Sequence, residues 1–108
     1  DQQGAVDLID LEKLLTKYPG ALVTLMHGNN EIGNLLDLEK VGALCEKYQT
    51  IFHSDTVQTM GHYKHDLKNL KTDFIVASGH KFHGPKGTGF LYIREGKRID
   101  PFIFGGAQ

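Results

Sequence analysis

With 108 residues the chain is one domain or part of one, and 12 Lys+Arg against 13 Asp+Glu leave a net charge of −1. That balance, with no basic block, gives nucleic acid or an anionic membrane surface no electrostatic footing. The single cysteine, Cys45, rules out an internal disulfide and suits a reducing compartment; no apolar run approaches the ~20 residues of a membrane span and no signal-peptide pattern opens the chain, so a cytoplasmic location is expected.

In chain order, Asp10 is placed to cap a short helix through Leu11, Leu14 and Leu15, ended by Pro19-Gly20. Ala21-Leu22-Val23-Thr24-Leu25-Met26 is apolar and partly β-branched, which predicts an inner strand. A polar loop, His27-Gly28-Asn29-Asn30-Glu31-Ile32-Gly33, follows it. Asp37 caps a second helix, whose Leu38, Val41, Cys45 and Tyr48 share one face at spacings of 3, 4 and 3. Thr50-Ile51-Phe52-His53 reads as a strand leading into Ser54-Asp55-Thr56-Val57-Gln58, and Asp66 as the cap of one turn through Leu67 and Leu70. Phe74-Ile75-Val76-Ala77 is a buried strand that opens onto Ser78-Gly79-His80-Lys81 and Phe82-His83-Gly84-Pro85-Lys86-Gly87-Thr88-Gly89. Residues 89–94 make a fourth strand, and the short link before it predicts an antiparallel return. Neither end resembles a natural terminus, so an excerpt from a longer protein is expected.

Alternation of strands with helices predicts an α/β fold: a mostly parallel sheet with helices packed on it and one antiparallel return strand. Right-handed crossovers would gather the C-terminal ends of the first three strands on one edge, where open α/β sheets bind ligands. The loops leaving that edge carry Asn30, then Asp55 with Gln58, then Lys81 with Ser78 and His80. A single lysine on a glycine-rich loop is ordinarily a solvated surface group. Three polar clusters after three successive strands are harder to explain that way.

Several chemistries compete for these groups. The Gly79–Lys86 stretch approaches a P-loop but puts Pro85 before its lysine and Gly87 where Ser or Thr is needed, and it runs into a strand. Six histidines raise the question of a metal, with His53, Asp55 and His80 the nearest thing to a ligand set of a small hydrolase, yet no HExxH or cysteine cluster exists. His62-Tyr63-Lys64-His65 reads as an exposed polar loop. Cys45 reads as a buried structural thiol on a helix face, and Lys86 as a solvated lysine. An imine-forming lysine with an aspartate and a phosphate cradle is the set that pyridoxal phosphate requires. In that arrangement Asp55 keeps the pyridine nitrogen protonated, Gln58 donates to the phenolate oxygen, and Ser78 and His80 hold phosphate oxygens. Lys81, once displaced by the substrate amine, is placed to act as the proton-transfer base.

The motifs His27–Gly33, His53–Gln58, Ser78–Lys81 and Gly84–Gly87, in this order, resemble those of cysteine desulfurases of the NifS/IscS type. These belong to the class V aminotransferase group of fold-type I pyridoxal-phosphate enzymes. The resemblance implies that residues 1–108 are part of the cofactor-binding large domain, with Lys81 bound to the cofactor and Asp55, Gln58, Ser78 and His80 around it. It places Asn30 beside the cofactor, helping to seat the substrate carboxylate. It also implies a homodimeric parent that converts L-cysteine to L-alanine, leaving the sulfur as a persulfide on an enzyme cysteine for iron–sulfur or tRNA-thiolation acceptors. The family's glycine–threonine phosphate loop and ring-stacking histidine precede this stretch. Its persulfide cysteine and carboxylate-binding arginine follow it, and Cys45 matches a helix position instead. On the residues alone, another class V aminotransferase or lyase, a metal-dependent hydrolase and a non-enzymatic binding domain stay open. By its content the excerpt alone is expected to be inactive.

Overall fold

Two aspartates start the two helices. In the computed structural model, which describes residues 1–106, Asp7 accepts hydrogen bonds from the amides of Ile9 and Asp10 and opens helix α1, Leu8–Lys17. The expected cap, Asp10, lies inside the first turn instead. The earlier start adds Leu8 to Leu11 and Leu15 on the face that packs on the core. Asp37 caps α2, Leu38–Lys47, as expected, accepting from Lys40 N. Each such cap supplies an acceptor to amides that the helix cannot satisfy itself, worth about 1 kcal/mol.

Four five-residue strands form one sheet in the order β1 (Leu22–Met26), β2 (Ile51–Asp55), β3 (Phe74–Ser78), β4 (Gly89–Ile93). The first two pairings are parallel and the last is antiparallel, the predicted return strand. β1 was expected to be an inner strand; among the described residues it is an edge. Asp66 makes a turn with Lys68, Asn69 and Leu70 that does not propagate into a helix.

Register puts Val23 beside Phe52, and both point to the face covered by the helices. There Leu15, Val23, Leu38, Val41, Cys45, Phe52 and Leu70 make the core, with Phe52 and Val41 fully buried. Glu12 ties α1 to α2 through Lys47 at 2.7 Å and the Tyr48 hydroxyl at 3.0 Å. The opposite face carries Leu22, Met26, Ile51, Leu91 and Ile93, all exposed among the described residues.

At the far end of the sheet Arg94 donates to the carbonyls of Leu67, Leu70 and Thr72, tying the 66–72 turn to the end of β4. No described helix is long and apolar enough to cross a membrane.

Candidate active site at the strand ends

Parallel pairing is what assembles the site. Met26, Asp55 and Val76 are register partners across β1, β2 and β3, so all three strands run out on the same edge. Asp55 ends β2 and Ser78 ends β3, both half-buried on the face away from the helices. The loop after β1 carries Asn30, exposed and donating from Nδ2 to Glu31 Oε1 at 2.7 Å. Thus the three predicted clusters leave one edge of the sheet.

Asp55 accepts the Val57 amide on Oδ1 at 2.8 Å, and among the described residues Oδ2 has no hydrogen-bond partner. The half-buried Gln58 amide is likewise unpaired there. The sheet beneath them is closed by buried hydroxyls: Ser54 donates to Leu25 O at 3.0 Å and Thr56 to Val76 O at 2.8 Å. Asp55 therefore stands at the end of a strand whose own polar groups are satisfied, with one carboxylate oxygen left for a ligand.

Beyond β3 the backbone makes a 3-10 turn, Gly79–Lys81. Gly79 is buried under the returning chain: a Cβ there would stand 2.6 Å from Thr88 Oγ1, so no larger residue fits without a shift. A Cβ on Gly84 would stand 2.8 Å from the Gly79 carbonyl oxygen, to which the Gly84 amide donates at 2.8 Å. The loop's glycines thus serve a tight fold-back and not a phosphate-wrapping P-loop. His83 holds a left-handed φ of 66°, an uncommon conformation for a non-glycine residue. Ser78 Oγ and His80 Nδ1 are hydrogen-bonded at 2.9 Å, which brings the two expected phosphate ligands together. Lys81 is exposed, and among the described residues its amine has no ion-pair partner.

The chain belongs to the aminotransferase class-V family. The family model matches residues 1–108. The cysteine desulfurase IscS of Dictyoglomus turgidum is 44% identical over 108 residues, covering 100% of this chain and 27% of the relative. A solved NifS-like protein from Rickettsia africae superposes with a TM-score of 0.91 at 40% identity, covering 98% of this chain and 30% of that one. SspA in complex with cysteine matches with a TM-score of 0.88 at 32% identity over 96% of this chain and 30% of that one. The chain therefore spans about 27% of the length of the curated relative.

The geometry also places the other residues singled out in the sequence of this class-V chain. Cys45 is 1% exposed, and burial, with Asp73 nearby, pushes its thiol up to about 11. Lys86 is exposed. His53 bonds Thr24 Oγ1 across the β1–β2 pair at 2.6 Å, and no group of three or more His, Cys, Asp or Glu among the described residues could hold a metal. The 62–65 stretch is more than an exposed loop. His62 Nε2 donates to the Lys81 carbonyl at 2.9 Å, and His65 is half-buried against His27 and Thr59. These contacts span 19, 38 and 6 residues, and no periodicity in the sequence signals them.

Proposed function

We propose that the protein carrying this chain is a pyridoxal-phosphate-dependent cysteine desulfurase, and that residues 1–108 are part of its cofactor-binding domain. The observation that carries this reading is the exposed Lys81 amine, without an ion-pair partner among the described residues, just beyond the strand paired with the one ending in Asp55. The donor set fits the cofactor. Asp55 Oδ2 is free to accept from a protonated ring nitrogen, the Gln58 amide is free to donate, and the mutually bonded Ser78–His80 pair keeps one O–H or N–H donor for a phosphate oxygen. Bound there, pyridoxal phosphate supplies an electron sink that makes a proton on the substrate's Cα removable.

The chain's own groups then divide the work. The Asp55 carboxylate would accept from the ring nitrogen and so favour a proton there. Lys81 takes and returns the Cα proton as a base on a flexible stem. His62, through the Lys81 carbonyl, restricts the backbone from which that amine swings. Asn30 reaches the substrate carboxylate from the neighbouring loop.

L-cysteine is the substrate that the names of similar proteins support. The net reaction transfers sulfur from cysteine to an enzyme thiol, giving L-alanine and a persulfide. Cys45 is not that thiol: buried and held protonated, it cannot present a thiolate to the site. The acceptor cysteine, the carboxylate-binding arginine, the second subunit of a homodimer and the iron–sulfur or tRNA-thiolation partners belong to the protein beyond these residues. A cytoplasmic enzyme suits these acceptors.

Pyridoxal phosphate added to the protein should give a yellow absorbance band, and cysteine should then release alanine. A protein that stays colourless, or one that releases alanine only from other amino acids, overturns the reading.

A further inference from the structure

Thr59 is 1% exposed and directly follows Gln58, yet the chemistry described for the site gives it no part. Its hydroxyl lies 2.8 Å from His27 Nδ1 and 3.3 Å from His65 Nε2, and the two ring nitrogens are 3.1 Å apart. Its methyl stands where a side chain on Gly28 would begin, 2.5 Å from the position of a Gly28 Cβ, with Gln58 Cβ at 3.7 Å. One threonine therefore meets both residues that open the Asn29–Asn30 loop, one with each branch of its side chain.

The carbonyl oxygens nearby fix the direction of the hydrogen bonds. His65 Nδ1 faces the Tyr63 carbonyl at 3.0 Å, so it carries the proton and a neutral His65 keeps its lone pair on Nε2. That lone pair needs a donor. His27 Nδ1–H supplies it at 3.1 Å and also donates to Thr59 Oγ1 at 2.8 Å, while the Thr59 hydroxyl donates to the Thr56 carbonyl at 3.3 Å. With both rings neutral, His27 Nδ1–H is shared between Thr59 Oγ1 and His65 Nε2, and the hydroxyl's own proton goes to the Thr56 carbonyl.

Burial opposes a charge on His27. Burial, and then the neighbouring His65, hold His27 below its ordinary value of 6.5. Asp37, the cap of α2, Glu39 of α2 and Lys64 of the 62–65 loop border the open cavity of about 240 Å³ that both rings line. The Tyr63 ring stands edge-on to His27 at 6.1 Å.

We propose that Thr59 is a positioning residue: its hydroxyl, accepting from His27 and donating to the Thr56 carbonyl, and its methyl, packed on Gly28, hold the Asn29–Asn30 loop in place beside the Asp55–Gln58 strand end. The consequence for turnover rests on the function proposed above; the placement of the loop does not.

The test compares Thr59→Val, which keeps the shape and removes the hydroxyl, with Thr59→Ser, which keeps the hydroxyl. Both are made in the protein isolated with its cofactor. Imidazole nitrogen NMR of the parent protein should show His27 and His65 protonated on Nδ1. Thr59→Val should shift both ring signals and the Asn29 and Asn30 amides, and raise KM for cysteine about tenfold with kcat within about threefold. Thr59→Ser should stay within about twofold of the parent in KM. Unmoved Asn29 and Asn30 amides in Thr59→Val overturn the proposal, as does a Thr59→Ser protein as impaired as Thr59→Val. Absence of cysteine turnover in the parent sinks the desulfurase reading, while the loop amides still decide the role of Thr59.

Discussion

The backbone amide of His27 donates to the carbonyl of Asp55 at 2.8 Å, one residue beyond the last β1–β2 register pair, Met26 with Asp55. This bond extends the parallel ladder into the loops. The chain leading to Asn30 and the chain leading to Gln58 therefore depart from one locked point. On the other side Thr56 N donates to Val76 O at 3.0 Å, so the strand end bearing Asp55 is tied to both neighbours. A carboxylate held this way loses little further freedom when a ligand binds, which favours affinity and orientation.

Lys81 should be the lysine that the cofactor modifies. It is exposed and without an ion-pair partner among the described residues, and Ser78 and His80 stand beside it. Borohydride reduction of the cofactor-loaded protein followed by peptide mapping should label Lys81 alone. Label on Lys86, or spread across surface lysines, contradicts the assignment.

Asp55→Asn should leave the melting temperature nearly unchanged and cripple turnover. The amide can still accept from Val57 N, so the local turn survives, but it offers no charge to keep a ring nitrogen protonated. Loss of one charged hydrogen bond at about 2–4 kcal/mol corresponds to roughly 30- to 1000-fold in rate. Steady-state kinetics within twofold of the parent would refute the role.

Cys45 should resist alkylation in the folded protein at pH 8. Its thiol is raised from 9.0 to about 11, so the folded state keeps a proton that the unfolded state gives up. The unfolded chain then binds fewer protons than the folded one, and stability falls as pH rises from 9 towards 11. Urea midpoints measured across that window should decline, and Cys45→Ala should flatten the decline while lowering stability at pH 7. An equal decline in the variant assigns the effect to other groups.

The 108 residues expressed alone should self-associate and should not desulfurate cysteine. Leu22 and Ile51 are 61% and 41% exposed on the sheet face away from the helices, and β1 offers an unpaired edge among the described residues. Exposed edges and apolar faces of that kind recruit another chain. Light scattering should report oligomers, and an alanine assay run alongside should show no cysteine-dependent release. A monodisperse monomer contradicts the first expectation, and robust turnover the second.

What could be read from the sequence was local. Asp37 is legible as a cap because its acceptor and the Lys40 amide lie three residues apart, and the Leu38, Val41, Cys45 spacing shows which face α2 buries. The strands are legible as short apolar runs, and three polar clusters following three of them are enough to infer a shared edge. Other features depended on packing. Asp7 and Asp10 are equally good caps in isolation, and the choice follows from whether Leu8 joins the core. The edge position of β1 among the described residues follows from the strand order, which apolar composition does not encode. His27, Thr59 and His65 meet across as many as 38 residues because parallel register and a turn bring them together, and His62 reaches the Lys81 carbonyl for the same reason. Caps and amphipathic faces are set by neighbours within a turn or two of chain. Hydrogen bonds between distant side chains exist only once the sheet has fixed which strand ends adjoin.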